Sequence, residues 1–323
     1  MLGAGGVVGG AFHAGVLAAL EEATGWDPRK AAVIVGTSAG SILASALRAG
    51  LSTAEILARA EGRRPPTVGG QPPGRTPDGS GSGRAQPGPT RRIRLEPGAG
   101  RTRTDVVALM RAAALRPLST RPLAILASLV PDGTVPAEFI RSGIQAILPA
   151  AWPADPLWIC AVRQSDGRRV VFGRDAYPEV AAAVTASCAI PGVFRPEVID
   201  GSAFVDCGAH SPTNADVLAR SGLDLVIVSS PMSMAGRRLR LALDQPARRW
   251  SRAFLDTEAM MLRRRGASVL AFQPTPADLE VMGVNAMDRS RRAPVARQAR
   301  ESTLRRLARA DSRLRLAALH PTG

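Results

Sequence analysis

The sequence predicts an α/β protein with a largely parallel sheet that helices cover on both faces. Two observations support this class: short, continuous apolar runs recur along the chain, and segments with helical spacing separate them. Strands that are apolar throughout are typical of parallel sheets, because helices bury both of their faces. The chain has 323 residues, of which 45% are hydrophobic, so it can fold around a substantial core.

The predicted elements follow from these patterns. The strands are short runs rich in Val, Ile, Leu and Phe, at Ala32–Val35, Leu157–Val162, Arg169–Phe172, Leu223–Ser229 and Ser268–Phe272. The helices lie where apolar residues recur every three or four positions, at Ala14–Glu22, Ala39–Leu47, Thr53–Glu61, Thr104–Ala114, Pro136–Leu148, Pro178–Ser187, Asn214–Ser221 and Arg240–Arg264. A further strand end is expected at Phe204-Val205-Asp206, before a turn of small residues.

The formal net charge of +15 is concentrated in two segments. Residues 62–103 contain nine Arg and two acidic residues, and residues 289–319 contain ten Arg and two acidic residues. The rest of the chain is electrically neutral. A basic protein suggests a nucleic-acid ligand, but one Tyr, seven Phe and four Trp offer few platforms on which bases could stack. We therefore expect no nucleic-acid partner.

Composition also bears on the cellular compartment. Cys160, Cys188 and Cys207 form no CxxC pair and are too few for a disulfide framework, as expected in a reducing cytoplasm. No apolar run reaches the ~20 residues of a membrane-spanning helix, and the N-terminus lacks the features of a secretory signal. We expect a cytoplasmic protein, whose basic segments could contact an anionic membrane surface.

Composition divides the chain into four parts. Residues 1–61 and 104–288 form the expected α/β domain. Residues 62–103, dominated by Pro, Gly, Ser and Arg, cannot bury enough apolar surface to offset an ordering entropy of ~1–2 kcal/mol per residue, so a disordered insertion is expected. Residues 289–323 form a basic C-terminal helix and tail.

The basic C-terminal part predicts an amphipathic helix over Arg297–Leu319. Its narrow apolar stripe consists of Leu304, Leu307, Leu314 and Ala318. Such a helix can pack on the protein body, or it can lie on anionic lipid, where each basic residue near the surface contributes ~1 kcal/mol. The stripe contains no Trp or Phe, which favours packing on the body.

Gly36-Thr37-Ser38-Ala39-Gly40 matches the G-x-S-x-G pattern of a nucleophile elbow. It follows a predicted strand and precedes a predicted helix, which is the context that an elbow requires. Gly36 and Gly40 leave room for a sharp turn, and the helix N-terminus places backbone N–H groups near Ser38. The other interpretation is an ordinary strand-to-helix turn with Ser38 as N-cap. The predicted strand before the motif and the helix after it favour the interpretation of Ser38 as a nucleophile.

A glycine-rich loop, residues 3–10 (GAGGVVGG), leads into the first helix. Val8 stands where a dinucleotide-binding G-x-G-x-x-G needs its third Gly, and no Gly-Lys-Ser/Thr follows as in a P-loop. Backbone N–H groups of such a loop can converge on an oxyanion, where one donor typically lowers a barrier by ~2.7–4 kcal/mol. The alternative is a flexible N-terminal tail.

A nucleophilic serine needs a group that accepts its proton. His320 lies in a polar C-terminal segment, which is a poor place for a base that needs an exact position. His13 lies in the first helix, where a role in packing or capping accounts for it equally well. Asp206 follows a strand end, and burial beside Ser38 would raise its pKa into a useful range. The alternative role for Asp206 is a turn residue that bonds to its own backbone.

Together these motifs resemble the patatin-like phospholipase family. Members carry a glycine-rich oxyanion loop, a G-x-S-x-G elbow and a downstream D-G-[GA], which correspond here to Gly5–Gly10, Gly36–Gly40 and Asp206–Gly208. His13–Glu21 is similar to the family's first helix, and Ala186–Phe194 is similar to its A-S-x-A-I-P segment. The likeness covers roughly residues 1–60 and 105–235.

The resemblance implies a three-layer α/β/α fold and hydrolysis of acyl esters, usually of lipids, by a Ser–Asp dyad without histidine. Ser38 would attack the ester carbonyl, and Asp206 would accept its proton and later activate water. The oxyanion would be held by the N–H groups of Gly5, Gly6, Val7 and Val8. The resemblance implies a lipid or other acyl-ester substrate and requires no metal ion or cofactor.

Three features depart from the family pattern. The family's loop is commonly G-G-G-x-[RK]-G, whereas Val7 stands at the third Gly and Gly9 at the basic residue. With valine at this position, the backbone N–H groups can still point at an oxyanion only if φ at Val7 is negative. Cys207 follows Asp206 in place of Gly, which could alter the turn. Only two residues precede the loop, so we expect the sheet to lose the strand that the family has there.

Two alternatives to this enzyme remain. An α/β-hydrolase triad in the order Ser, Asp, His would need His210 or His320 as its histidine. A patatin-like binding protein with weak or no catalysis would keep the fold with a less efficient site.

Overall fold

The structure, a computed structural model, describes residues 1–63, 132–235 and 245–309. Its strands are β1 (Ile34–Thr37), β2 (Leu157–Arg163), β3 (Arg169–Phe172), β4 (Glu197–Ile199), β5 (Ser202–Asp206), β6 (Leu225–Ser229) and β7 (Ser268–Phe272). Its α-helices are α1 (Gly6–Thr24), α2 (Ala39–Arg48), α3 (Thr53–Ala60), α4 (Glu138–Gln145), α5 (Val180–Ser187), α6 (Gln245–Arg264), α7 (Pro276–Met282) and α8 (Arg292–Leu307). The predicted helix Thr104–Ala114 and nearly all of the predicted insertion 62–103 lie outside these ranges.

Strand β2, an almost wholly apolar segment, is the centre of the sheet. It pairs in parallel with β1 and antiparallel with both β3 and β5. Strand β4 continues antiparallel to β5, and β6 and β7 form a parallel pair.

Leu2 occupies the place of a strand between β1 and β6. It pairs in parallel with Gly36 on one side and with Ser229 on the other. Its N–H donates to the Val35 carbonyl at 2.8 Å, and its carbonyl accepts the Thr37 N–H at 3.0 Å. As expected, the described residues before α1 contain no strand, and isolated pairs at Leu2 connect β1 with β6 in its place. The strands β1, β2, β4, β6 and β7 run in one direction, which confirms a mostly parallel sheet.

The two faces of the sheet carry separate hydrophobic clusters, because successive strand residues point to opposite sides. In β2, Ile159 and Ala161 join a cluster with α1, α2, α3, α4 and α5. Cys160 and Val162 join a second cluster with Leu255 and other residues of α6. Helices therefore cover both faces, which confirms the α/β class and its three layers.

Helix α8 packs on α1 and belongs to the protein body. Val295, Ala296 and Ala299 are buried, and Gly15 of α1 lies directly against Ala296 and Ala299. A Cβ atom at Gly15 would lie 2.3 Å from the Ala296 carbonyl oxygen, so glycine permits the close approach of the two helices. The basic C-terminal segment is thus not an appendage over this range, and its helix begins five residues before the predicted Arg297.

Other differences from the predicted elements have local causes. Helix α1 begins at Gly6, so most of the predicted glycine loop is the first part of the helix, although glycine disfavours helix interiors. The predicted helix Asn214–Ser221 is only a 3-10 turn at Ala215–Leu218, and Asn214 precedes this turn with a left-handed φ of 56°. The sequence does not predict β4 or α7. In the ranges described, no helix combines the length and apolar composition that crossing a membrane requires.

We predict that Gly15→Ala destabilises the protein by about 1–3 kcal/mol, because the added methyl group overpacks the contact between α1 and α8. The matched control is Gly143→Ala in α4, where a Cβ atom would meet no atom within 4 Å. The control should be neutral or stabilise by up to about 1 kcal/mol through helix propensity. Urea unfolding of both variants measures the difference, and equal effects would contradict the close packing of α1 and α8.

Candidate active site

Ser38 lies in a sharp turn between β1 and α2. Its φ of 54° and ψ of −125° are unusual for a residue with a side chain, and such a conformation costs about 1–3 kcal/mol. The flanking glycines make the turn sterically feasible. A Cβ atom at Gly36 would lie 2.4 Å from the Ser41 Cα, and one at Gly40 would lie 2.1 Å from the Leu2 carbonyl oxygen. The sequence-predicted elbow has the geometry that the G-x-S-x-G pattern requires.

Hydrogen bonds from two other elements hold this turn. The Ser38 N–H donates to Ser187 Oγ at 2.9 Å, and Ser187 Oγ donates to the Cys160 carbonyl in β2 at 2.7 Å. On the other side, Ser41 Oγ donates to the Ser38 carbonyl at 2.6 Å. Sequence reasoning assigns no role to Ser187, although the A-S-x-A-I-P segment that contains it is the available signal.

Asp206 lies at the end of β5 and contacts Ser38. Its carboxylate accepts a hydrogen bond from the Gly208 N–H at 2.7 Å and interacts with the Ser38 side chain. Burial raises the pKa of Asp206 to about 6, although the interactions with Ser38 and Gly208 oppose the shift. The fold therefore brings the two predicted residues together and leaves the carboxylate mostly ionised at neutral pH.

Cys207 does not disturb the turn that follows Asp206. Residues Cys207–Ala209 form a 3-10 turn, and the positive φ values among the described non-glycine residues fall elsewhere, so the position does not require glycine. The buried Cys207 Sγ donates to Asn214 Oδ1 at 3.4 Å. The nearby thiol of Cys188 is also buried, which raises its pKa far above the usual range and keeps it protonated.

The first turn of α1 lies at the cavity that Ser38 also lines. Positive φ falls on Gly6, at 60°, and not on Val7, so the valine is tolerated there. The N–H groups of Gly5, Gly6 and Val7 donate to no acceptor among the residues that the structure describes. Gly6 and Val7 line the same cavity as Ser38.

The prediction that Val8 contributes an oxyanion donor is wrong for this conformation. The Val8 N–H donates to the Ala286 carbonyl at 2.9 Å and is therefore occupied. Ala286 lies after α7, in a region whose proximity to the glycine loop the sequence does not indicate.

His13 anchors the glycine loop and does not face Ser38. Its Nε2 lies 2.8 Å from the Gly3 carbonyl oxygen and its Nδ1 lies 2.7 Å from Ser229 Oγ. Because a carbonyl only accepts, Nε2 carries the proton and Nδ1 accepts from the serine hydroxyl. Burial lowers the pKa of His13 to about 4, so the ring is neutral. With both nitrogens occupied, His13 positions the loop and is unsuited to act as the base.

A buried polar network connects the elbow with the turn after Asp206. Asn214 Nδ2 donates to Thr37 Oγ1 at 3.1 Å, and Asn214 Oδ1 accepts from Arg169 at 2.9 Å. Behind this residue, Glu258 of α6 accepts from Ser211 Oγ at 2.6 Å and from the Ala215 N–H at 2.9 Å. Neither Asn214 nor Glu258 is predicted from the sequence, because their partners are distant along the chain.

A cavity of about 540 Å³ opens next to Ser38. Helices α2, α3 and α4 line it with apolar side chains, among them Ile42, Leu43, Ile56 and Ile140. A cavity of this size and polarity suits a small ligand with an apolar chain. The ranges described contain no cluster of three or more His, Cys, Asp or Glu side chains that could hold a metal ion.

The fold and the site define an α/β protein with a nucleophile-elbow serine in contact with a buried carboxylate. A family model described as "Patatin-like phospholipase" matches residues 1–219, about two thirds of the chain. The chain therefore belongs to the patatin-like phospholipase family, whose members are generally hydrolases of lipid esters. No curated protein matches the chain. The matched range includes the glycine loop, the elbow and Asp206, and it ends before β6 and α8.

We predict that Ser187→Ala destabilises the protein by about 1–3 kcal/mol, because it leaves the buried Ser38 N–H and Cys160 carbonyl without their partner. Ser45→Ala in α2 is the matched control, since the Ser45 hydroxyl is buried and has no hydrogen-bond partner among the described residues. Urea unfolding should show a loss for the first variant and little change or a gain for the second. A neutral Ser187→Ala would show that the hydrogen bonds do not support the elbow.

Proposed function

We propose that the protein is a serine acylhydrolase that cleaves acyl esters of lipids with a Ser38–Asp206 dyad. The observation that carries this proposal is the elbow conformation of Ser38 beside the buried Asp206 carboxylate, at the edge of an apolar cavity. Family membership supports a lipid ester as the substrate class. Neither His13 nor the contacts of Ser38 support a histidine as the base.

In this mechanism Ser38 Oγ attacks the ester carbonyl carbon while Asp206 accepts the hydroxyl proton. The carbonyl oxygen becomes an oxyanion, and the N–H groups of Gly6 and Val7, with Gly5 beside them, stabilise it. Asp206 then gives the proton to the departing alcohol, which leaves an acyl group on Ser38. Water loses a proton to Asp206 and attacks this acyl group, and the proton returns to Ser38 as the carboxylic acid leaves.

In this mechanism the apolar cavity binds the acyl chain of the substrate. Side chains from α2, α3 and α4 surround the space next to Ser38, and each buried CH₂ group of a chain contributes about 0.8 kcal/mol. Asp206 is itself buried next to this site, and its burial raises the pKa of the carboxyl.

Labelling with a fluorophosphonate probe tests the nucleophile. We expect the wild-type protein to be labelled, Ser38→Ala to remain unlabelled, and Asp206→Asn to react about 10²–10⁴-fold more slowly, as for loss of a general base. Ser45→Ala is the matched control and should react like the wild type. A folded wild-type protein that stays unlabelled would contradict the proposal and favour a binding protein without catalysis.

The pH dependence of ester hydrolysis tests the base. Only the ionised carboxylate accepts a proton, so kcat/KM should rise as the pH increases through about 6 and then level off. The midpoint should change little with temperature, because carboxyl ionisation has a small enthalpy whereas imidazole ionisation has a large one. His210→Gln should retain the profile, and its loss in that variant would favour the Ser-His-Asp triad.

A further inference from the structure

The side-chain amide of Asn214 is fully buried and uses all of its hydrogen-bonding groups. Its Nδ2 donates to Thr37 Oγ1 at 3.1 Å and to the Ser211 carbonyl at 2.6 Å. Its Oδ1 accepts from the Arg169 guanidinium at 2.9 Å and from the Cys207 thiol at 3.4 Å. A side-chain amide has two N–H donors and an oxygen with two lone pairs, so these four contacts satisfy it completely.

Two of these four partners are the immediate chain neighbours of the proposed dyad. Thr37 precedes Ser38 at the end of β1, and Cys207 follows Asp206 at the end of β5. Both strands pair with β2, β1 in parallel and β5 antiparallel. The Asn214 amide therefore joins the residue before the serine directly to the residue after the carboxylate.

The orientation of this amide is set by the Arg169 guanidinium, which can only donate hydrogen bonds. Oδ1 must face Arg169, and Nδ2 therefore faces the Thr37 hydroxyl and the Ser211 carbonyl. Arg169 is itself held by Asp216, because its two terminal nitrogens each donate to one carboxylate oxygen at 2.7 Å. A pair of parallel hydrogen bonds of this kind fixes the direction of the guanidinium as well as its distance.

The backbone of Asn214 is held from the opposite side by Glu258 of α6. Asn214 has a left-handed φ of 56°, a conformation that asparagine adopts more readily than most residues. Its N–H donates to Ser211 Oγ at 2.9 Å, and Ser211 Oγ donates to Glu258 at 2.6 Å. The Ala215 N–H donates to the other carboxylate oxygen of Glu258 at 2.9 Å. The amide is thus fixed in position as well as in orientation, as a side chain must be if it is to align two others.

We propose that Asn214 is a positioning residue that aligns Ser38 with Asp206 through its contacts with Thr37 and Cys207. The inference rests on the proposed acylhydrolase function, because the alignment matters only if a proton passes between these two side chains. Such a transfer depends steeply on geometry, and a displacement of about 1 Å can reduce a rate about 10²-fold. The polar network behind the elbow therefore contributes to the rate of reaction at Ser38 as well as to the fold.

Thr37→Val tests this role, because valine has nearly the shape of threonine and lacks the hydroxyl that accepts from Asn214. Nδ2 keeps its hydrogen bond to the Ser211 carbonyl, so the substitution removes the link to the elbow and leaves the rest of the network in place. The rate of labelling by a fluorophosphonate probe should fall about 10–10²-fold. Thr37→Ser keeps a hydroxyl and should retain most of the wild-type rate.

Thr185→Val is the matched control. It makes the same change at another buried threonine, whose hydroxyl donates to the Ala181 carbonyl within α5. This variant should be labelled at the wild-type rate. Urea unfolding of both valine variants establishes that each is folded under the conditions of labelling.

The Asp206→Asn background separates positioning from general damage to the protein. Without the carboxylate there is no base to align with Ser38, so Thr37→Val should change the remaining labelling rate by at most about twofold. A merely structural role of Thr37 and Asn214 would reduce the rate by the same factor in both backgrounds, and that result would overturn the inference. A wild-type labelling rate in Thr37→Val would overturn it as well.

Asn214→Ala supplies a second comparison. If Asn214 acts on the elbow through Thr37, the double variant Asn214→Ala/Thr37→Val should react no more slowly than Asn214→Ala alone, whereas independent losses would multiply and contradict the inference. If Asn214→Ala does not fold, the Thr37→Val comparison in the two backgrounds still decides. Labelling that requires Ser38 and Asp206 but is insensitive to Thr37→Val would reject the positioning role and leave the acylhydrolase proposal intact. A folded wild-type protein that is not labelled would reject both.

Discussion

The site depends on how closely the backbone at Leu2 approaches the elbow at Gly40. Leu2 pairs with both β1 and β6, and a Cβ atom at Gly40 would lie 2.1 Å from its carbonyl oxygen. This contact sets the start of the glycine loop directly beside the turn that carries Ser38. It also keeps the serine in its left-handed conformation, because the turn has no room to relax. Ser38 and the N–H groups of the first turn of α1 are thus positioned by one packing constraint.

Burial at this site has opposite consequences for the groups near the serine. It raises the pKa of Asp206 to about 6, which produces a carboxylate that is ionised at neutral pH yet basic enough to accept a proton. It lowers the pKa of His13 to about 4, so the ring stays neutral and can accept from Ser229 while it donates to Gly3. The thiol of Cys188 stays protonated for the same reason. Burial in one apolar environment therefore gives the carboxyl of Asp206 a raised pKa, keeps the His13 ring neutral and keeps the Cys188 thiol protonated.

The sequence predicts the elements whose signals are local and misses those that depend on distant partners. The turn at Ser38 and its flanking glycines can be predicted because the strand, the turn and the helix are contiguous in sequence. Asp206 can be proposed as a site residue because it lies at a predicted strand end. The start of α1 at Gly6 cannot be predicted from the sequence, because glycine disfavours helices and tertiary contacts determine where this helix begins. The occupied N–H of Val8 depends on Ala286, and the support of Ser38 depends on Ser187. Their separation along the chain hides these contacts from any local pattern.

The place of the basic C-terminal segment in the fold also could not be predicted from local composition. By composition the segment is distinct from a neutral body, yet the buried side of α8 packs on α1 through the space that Gly15 leaves. This packing sets the start of α8, and with it Arg289 and Arg292, at the cavity that contains Ser38. A helix outside the range shared with the family thereby supplies part of the site's charge. The packing of two helices far from the reacting atoms thus determines which chemical groups a ligand at Ser38 meets.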